Sequence, residues 1–449
     1  MATKTETKNN GLIKGAAWIA IGGFVAKMIG ALYRMPLTNL IGGRGLGLYQ
    51  LVYPVYCLLL TVSATGIPSS IAKLTAERVA RGENPRGLFR SAMRLFVGIG
   101  VLGTLGMCVV APYLAKAQGG EEVLGGYYAL APAVAIVSVI SVFRGYFQGK
   151  NDMMPTALSE IAEQVVKVAL GLLFAYLFRD RVQTAVIFLL AAVSVSELFT
   201  LFLMLAIYRR EEQKTENDGG MVEFKTILRM SIPVTVASLL LPLSGLLDSV
   251  IAPRLLGVYE PDAVTLYGLF SGGAVTMISL PVSVCYGLAA ASIPRVASEK
   301  GGKNARKSVF RCLGLTALVG GVSAIGLYAF AKPAVHIVFR SLTVGEKELL
   351  TGLVQAYSVS AFFLSCVQTL SACLTAQGKP KYAALGMFTG VAVKTAAYSV
   401  WLKNPKISVF GLAYAGNLCY LVAFLILFLY NLAITKEKKR KKGKERRER

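Results

Sequence analysis

Apolar residues fill the chain in long blocks, and Gly, Pro or charged residues mark the boundaries between blocks. Each block has about 20 residues, the length that an α-helix needs to cross the hydrocarbon core of a bilayer. The sequence does not show the short alternating segments that are typical of a membrane β-barrel. We therefore predict an all-α polytopic membrane protein with about 12 transmembrane helices. The predicted spans are 12–33, 47–67, 91–114, 126–147, 155–178, 183–208, 226–252, 264–292, 308–330, 349–375, 382–402 and 409–434.

The basic residues favour one orientation of these spans in the membrane. With the N-terminus placed in the cytoplasm, 34 Lys and Arg fall in cytoplasmic segments and 11 in outer loops. Loops rich in Lys and Arg stay on the cytoplasmic side. We therefore expect a multi-pass protein of the cell membrane with both termini in the cytoplasm.

The net charge of +24 changes this picture little, because much of it belongs to loops and to a basic tail at 436–449. Such a pattern is typical of membrane topology, so we expect no nucleic-acid partner. The tail is expected to contact anionic lipids.

A polar segment at 209–222 separates two groups of about six spans. It predicts a cytoplasmic linker between two bundles. The predicted domains are an N-terminal bundle at 1–208, the linker at 209–222, a C-terminal bundle at 223–435 and the tail at 436–449.

Short motifs recur in the two halves. Gln-Gly-Lys ends a predicted helix at 148–150 and again at 377–379, and Phe-Arg occurs at 89–90 and 310–311. Because each half has an even number of spans, the two copies would have the same orientation. The sequence therefore predicts two pseudo-symmetric six-helix bundles, the parallel-repeat plan of several transporters.

The chain offers little for enzymatic chemistry. Its one histidine, His336, excludes a His-based metal site, and the phosphate-binding motif GxxxxGK[ST] does not occur. We expect a monomer that is not an enzyme and has no cofactor, although coupling to H⁺ or Na⁺ stays open.

The first predicted helix carries two positive charges on one face. Lys27 and Arg34 are seven residues apart, nearly two turns, and Gly23 and Gly30 share their face. A charged residue inside a membrane is costly and usually faces a polar cavity or a partner. We interpret this stripe as an anion-binding wall. The alternative is that Arg34 reaches the outer interface and Lys27 pairs internally.

The fifth helix carries Glu160, Glu163 and Lys167 on one face, and Glu163 and Lys167 have the spacing of an ion pair. An internal structural pair and a role in transport both stay open. Lys394 occupies a roughly equivalent place in the second half, which would give one lysine per bundle.

Further charges lie in or near later spans. Glu197 falls within the sixth helix, Asp248 late in the seventh, and Arg254 follows it. These carboxylates could couple transport to an ion gradient or form salt bridges with the lysines and Arg254. The predicted substrate-binding residues are Lys27, Arg34, Lys167, Lys394 and Arg254, and the ion-coupling candidates are Glu163, Glu197 and Asp248.

Several stretches resemble the stage V sporulation protein B and polysaccharide-export family. They include YRMPL at 33–37, GLGLYQ at 45–50 with YPVY at 53–56, FRGYFQG at 143–149 and SIPVT at 231–235. This family belongs with multidrug-and-toxin extruders, O-antigen flippases and MurJ-type lipid II flippases.

The resemblance implies two six-helix bundles around a cavity that opens alternately to either side of the membrane. It also implies a substrate that is an undecaprenyl-linked saccharide, with cations of the first helix in the cavity, where Lys27 and Arg34 lie here. We therefore expect a flippase for lipid II or a polysaccharide repeat unit. The alternatives are an ion-coupled exporter of cationic drugs on the same fold and a membrane enzyme or scaffold.

Overall fold

Nearly all of the structure, a computed structural model, is α-helical. It describes residues 2–212, 224–283, 285 and 303–445, and these ranges contain no β-strand. The all-α prediction is confirmed.

The chain forms two compact units, Met1–Val250 and Ile251–Arg449. The helices that begin in the first unit are α1 (Ala2–Leu60), α2 (Gly66–Ala80), α3 (Arg86–Ala117), α4 (Leu124–Gly149), α5 (Met154–Leu177), α6 (Val182–Glu212), α7 (Phe224–Ser238) and α8 (Leu240–Leu256).

Helix α1 contains the first predicted span and most of the second, and the two are separated by a kink. Gly42 has φ 69° and ψ −175° at this point, so the helical conformation is interrupted there. A positive φ is readily adopted by glycine, which has no Cβ atom. A π-helical segment, Thr61–Thr65, then joins α1 to α2.

Aromatic side chains form much of the core of the first unit near the start of α3. The rings of Phe89 and Tyr208 stack with centroids 4.4 Å apart, and Phe143 and Tyr146 each lie 5.1 Å from Phe89. These residues come from α3, α4 and α6, and they are all buried. Burial of this surface joins the three helices.

The second unit contains the end of α8 and all later helices. These are α9 (Ala263–Gly268), which continues through a π-helical segment (Leu269–Ala274), α10 (Lys303–Ala329), α11 (Ala331–Val338), α12 (Val344–Tyr357), α13 (Val359–Ala376), α14 (Pro380–Trp401) and α15 (Phe410–Glu445).

Nine helices in the described ranges are long and apolar enough to cross a membrane. Each of the twelve predicted spans falls at least partly on helix. The count of twelve is not fully confirmed. The first two predicted spans form one continuous candidate, and α5 carries too many charges to qualify by composition. The predicted span 226–252 is divided into α7 and α8, which have only 15 and 17 residues.

The units divide the chain later than the predicted linker does. The boundary of the compact units lies after Val250 within α8, and the predicted domains, with a linker at 209–222, stay a prediction. Helix α7 belongs to the first unit because it packs closely on α2: a Cβ atom added to Gly66 would lie 2.4 Å from the Ser231 carbonyl oxygen. Residues 213–223, most of the predicted linker, lie outside the described residues.

Candidate functional site

Helices α1 and α5 run side by side in the same direction. A Cβ atom added to Gly22 would lie 2.8 Å from the Cβ of Ala157, and one added to Gly30 would lie 3.2 Å from Oε1 of Gln164. The second contact lies closer to the C-terminal end of both helices than the first, so the two helices are parallel. Glycines on α1 permit this close approach, as small residues do between membrane helices.

The predicted glycine and cation stripe on α1 therefore faces α5. Gly30 belongs to that stripe and lies against Gln164, and Arg34 follows one turn later and is half-buried. Lys27 occupies the same helix face by register, but its side chain lies outside the described residues.

Arg144 of α4 makes a buried ion pair with Glu163 of α5. Its Nη2 atom donates to Oε2 of Glu163 at 3.0 Å, and its Nε atom donates to Oγ of Ser159 at 2.9 Å. The two charged side chains are only 14% and 16% exposed. A charge with so little water requires a partner, so each stabilises the other in place.

The structure pairs Glu163 with Arg144 and not with Lys167, the partner that the spacing in the sequence allowed. In the described part of the chain, Lys167 makes no ion pair within 4.0 Å, because Arg144 holds the carboxylate of Glu163. The charges of Arg34, Glu163 and Glu197 nevertheless act on Lys167. Arg34 and Lys167 thus bring two positive charges from neighbouring helices into one region.

Glu197 of α6 completes this group and is only 4% exposed. The hydroxyl of Tyr56 donates to its Oε1 atom at 3.4 Å, while its buried Oε2 atom has no hydrogen-bond partner among the residues that the structure describes. An ionised carboxylate with an unpartnered buried oxygen is costly. Binding a proton or a cation would relieve that cost.

A row of tyrosines on the second half of α1 lies beside these charges. The rings of Tyr49 and Tyr53 stack with centroids 5.1 Å apart, and Tyr56 follows at 5.8 Å from Tyr53. The charge of Arg34 acts on both Tyr49 and Tyr53. Their spacing of four and three residues places them on one helix face, and this pattern is visible in the sequence.

The structure thus brings together four of the predicted residues and adds one that was missed. We call this set the α1–α5 charge cluster: it consists of Arg34, Arg144, Glu163, Lys167 and Glu197. Arg144 belongs to the motif FRGYFQG, which lies within α4.

The other predicted residues have different surroundings. Lys394 on α14 is 6% exposed, and its ammonium lies 5.7 Å from the centroid of the Tyr398 ring. On α8, Asp248 is half-buried, and Arg254 is exposed in the last turn.

Comparison with known proteins identifies the family. The model of the polysaccharide biosynthesis protein family matches residues 12–298, more than half of the chain, and the MatE model matches residues 233–401. Stage V sporulation protein B of Bacillus subtilis (strain 168) is 26% identical over 424 residues, covering 90% of this chain and 80% of that protein. The lipid II flippase MurJ of the same organism is 20% identical over 413 residues, covering 85% and 76%.

Solved structures share the fold. An inward-facing multidrug resistance transporter of the MATE family matches with a TM-score of 0.73 and 14% identity, covering 92% of this chain and 96% of that one. The inward closed conformation of lipid II flippase MurJ also matches with a TM-score of 0.73, at 13% identity, covering 93% and 89%. The family model matches more than half of the chain, and the chain is a multi-pass membrane protein of the polysaccharide biosynthesis protein family.

Proposed function

We propose that the chain is a flippase that moves an undecaprenyl-pyrophosphate-linked saccharide across the cytoplasmic membrane by alternating access. The observation that carries the proposal is the pair of positive charges, Arg34 and Lys167, on neighbouring helices within a membrane-spanning unit. A pyrophosphate is an anion that two cations from different helices can hold together.

The charges within the α1–α5 charge cluster favour the binding of an anion. Three cations, Arg34, Arg144 and Lys167, lie in the cluster with the carboxylates of Glu163 and Glu197, and Glu163 is paired with Arg144. The carboxylate of Glu160 also acts on Arg144, so binding of an anion would depend on Arg34 and Lys167. Desolvated charges attract an oppositely charged group strongly.

The cations would contribute in different ways to binding the pyrophosphate. The guanidinium of Arg34 can hold two phosphate oxygens at once, whereas Lys167 acts as a point charge. Lys27 would extend the same helix face by one more charge, two turns before Arg34. Lys394 and Arg254 are the proposed substrate-binding residues of the second unit.

Similarity supports this substrate class. Two relatives are named stage V sporulation protein B and lipid II flippase MurJ, and the matching family model is described as polysaccharide biosynthesis protein. A lipid-linked saccharide such as lipid II or a polysaccharide repeat unit suits these relatives. We further propose that the protein acts as a monomer with both termini in the cytoplasm and with its basic tail on anionic lipids.

The test is flipping of a labelled undecaprenyl-pyrophosphate saccharide in proteoliposomes. The wild-type protein should flip it, and the Lys27→Ala, Arg34→Ala double variant should not. Arg179→Ala serves as the matched control, since Arg179 is an exposed cation in the loop after α5. Equal flipping by a folded double variant would refute the site.

The alternative, an ion-coupled multidrug exporter, is favoured by one observation. Glu197 is a deeply buried carboxylate with an unpartnered oxygen, which suits a group that binds H⁺ or Na⁺. Asp248 and Glu163 are the other candidates for coupling. Drug resistance on expression that is lost in Glu197→Gln, together with no flipping of the lipid-linked saccharide, would select this alternative.

A further inference from the structure

The short helix α11, which follows α10 directly, has three different sides. Ala331 and Val335 are fully buried, so the first side packs within the second unit. Lys332 and His336 are exposed on the second side, and Ile337 is exposed on the third. Successive residues of an α-helix are about 100° apart, so the second and third sides are adjacent. The exposed surface of α11 is therefore basic along one edge and apolar along the next.

The basic edge continues past the end of the helix to Arg340, and no acidic residue offsets it locally. The segment 331–343 contains Lys332, His336 and Arg340 but no Asp or Glu. Across the described ranges, neither Lys332 nor Arg340 has a carboxylate within 4.0 Å. The next acidic residue, Glu346, accepts from the backbone N–H and the hydroxyl of Thr343 at 2.8 and 2.9 Å, so its carboxylate caps the start of α12.

Hydrogen bonds to carbonyl oxygens position two of these side chains. The Nδ1 atom of His336 lies 2.8 Å from the carbonyl oxygen of Lys332, and Nε of Arg340 donates to the carbonyl of Ile337 at 3.2 Å. A carbonyl oxygen only accepts, so Nδ1 of His336 carries the hydrogen in this bond. The Nε2 atom of a neutral His336 can then accept a hydrogen from a ligand, and the Nη atoms of Arg340 can donate.

The end of α10 places this basic edge at the level of the lipid headgroups. Tyr328 is exposed in the last turn of α10, and tyrosine side chains are enriched at membrane–water interfaces. Lys332 follows Tyr328 by four residues, which corresponds to about 6 Å along a helix axis. The headgroup region of one leaflet is about 5–7 Å deep. Lys332 therefore lies where phosphates of the leaflet lie.

An uncovered apolar stripe on α10 leads to the same place. Only 17% of the apolar window of α10 is buried, the lowest share among the nine candidates of the described ranges. One side packs on α13, where a Cβ atom added to Gly320 would lie 3.3 Å from Cβ of Ser365. The opposite side exposes Leu318, Val322 and Ile325. An apolar helix face without protein cover in a membrane protein contacts acyl chains.

We propose that the start of α11 binds an anionic phospholipid with a hydroxylated headgroup, such as phosphatidylglycerol. Lys332 and Arg340 hold the phosphate, and Nε2 of His336 accepts a hydrogen from a headgroup hydroxyl. An acyl chain lies along Ile325 and Tyr328 of α10. The occupant is a lipid because the cations and the apolar stripe meet at the headgroup level, and it is anionic because the segment 331–343 has only positive charges.

This lipid is separate from the transported substrate and from any lipid at the basic tail. Its proposed ligands all belong to α10, α11 and the residues just after α11, and none of them belongs to the α1–α5 charge cluster. The inference therefore does not depend on the proposed function.

Lipid binding by the purified full-length chain tests the site. Native mass spectrometry would compare phosphatidylglycerol with phosphatidylcholine of the same acyl chains. The wild type should bind phosphatidylglycerol more strongly. The Lys332→Gln, Arg340→Gln variant should bind phosphatidylglycerol about tenfold or more weakly than the wild type, because each basic residue near an anionic surface contributes to binding. Phosphatidylcholine binding should not change.

Lys403→Gln with Lys406→Gln is the matched control, since it also removes two exposed cations of the second unit. Both lysines lie on the same side of the membrane as α11. The α12–α13 segment runs opposite to α10, because Gln355 donates to the Tyr328 carbonyl at 3.4 Å and Thr369 donates to the Thr316 hydroxyl at 3.0 Å. Helix α14 then returns across the membrane and ends just before Lys403.

The control variant should bind phosphatidylglycerol as the wild type does. As a measurement that needs no variant, phosphatidylglycerol should raise the Tm of the wild-type protein more than phosphatidylcholine does. Equal binding of the two lipids by the wild type would overturn the proposal. Equal phosphatidylglycerol binding by the Lys332→Gln, Arg340→Gln variant and the control would also overturn it.

Discussion

Lys167 and Lys394 occupy roughly corresponding helices of the repeat, yet their surroundings differ. Lys167 lies within the α1–α5 charge cluster, where Arg34, Glu163 and Glu197 act on it. Lys394 is buried on α14 with its ammonium over the ring of Tyr398. The same type of side chain is thus placed among charges in one unit and against an aromatic face in the other.

The difference follows from the residues around each lysine. In the register of the Gln-Gly-Lys motifs, Cys373 corresponds to Arg144 and Ala392 corresponds to Glu163. The second unit therefore lacks the ion pair at these positions. A duplicated fold can keep its helices while only one copy keeps the charges, which assigns most of the proposed anion binding to the first unit.

Loss of the buried ion pair should have the largest effect. Arg144→Ala would leave Glu163 buried without its cation, and breaking such a pair costs about 3 kcal/mol or more. We expect a large fall in Tm in detergent and loss of flipping. The Arg144→Met, Glu163→Gln double variant should recover much of the Tm, because it leaves no unpaired charge. A Tm for Arg144→Ala equal to that of the wild type would show that the pair is not structural.

Removing each lysine in turn compares the two units directly. Lys167→Ala should reduce flipping of a lipid-linked saccharide about tenfold or more, since a hydrogen bond to a charged group is worth about 1.5–3 kcal/mol. Lys394→Ala should have a smaller effect, because Lys394 lies over Tyr398. Rates from proteoliposomes with equal amounts of protein provide the measurement, and Lys167→Arg should retain activity. A larger loss in Lys394→Ala would reverse the assignment.

Loss of the uncharged hydrogen bonds of Asn417 in the second unit should lower stability without changing transport. Asn417 of α15 donates to the Ala356 carbonyl at 2.7 Å and accepts from Ser360 at 2.6 Å, so it joins three helices. Asn417→Leu should lower stability by about 1 kcal/mol and leave flipping per folded molecule unchanged. Tm and proteoliposome assays on the same preparation separate the two effects. Lost flipping at unchanged Tm would give Asn417 a role in transport.

The exposed ion pair of the first unit should matter least. Arg44 and Glu122 lie 2.9 Å apart, but their side chains are 52% and 42% exposed. Exposed pairs contribute about 0–1 kcal/mol. Arg44→Ala should therefore leave Tm and flipping nearly unchanged, and it is a control for Arg144→Ala. A loss as large as that of Arg144→Ala would show that burial does not distinguish the two pairs.

The sequence predicted the helices and several charges of the cluster, since both depend on local features. Apolar blocks of fixed length mark helices in a membrane. A spacing of four residues places Gly30 beside Arg34 on one helix face, and Gly30 does lie against α5. Glu163, Lys167 and Glu197 were identified because ionisable residues within apolar segments are rare.

The partners of these charges depended on packing between distant segments. Arg144 and Glu163 are 19 residues apart on different helices, and only the packing of α4 on α5 brings them together. That contact replaced the local Glu163–Lys167 pair. The unit boundary after Val250 likewise depends on packing between distant segments, because α7 packs on α2.

Binding of undecaprenyl pyrophosphate to the purified protein tests the central claim most directly, since this probe carries the anion without the saccharide. We expect the Arg34→Gln, Lys167→Gln double variant to bind it at least about tenfold more weakly than the wild type. Arg179→Gln, which changes an exposed cation outside the cluster, should bind it nearly as the wild type does. Equal affinity of the folded double variant and the wild type would contradict the assignment of the anion site to the α1–α5 charge cluster.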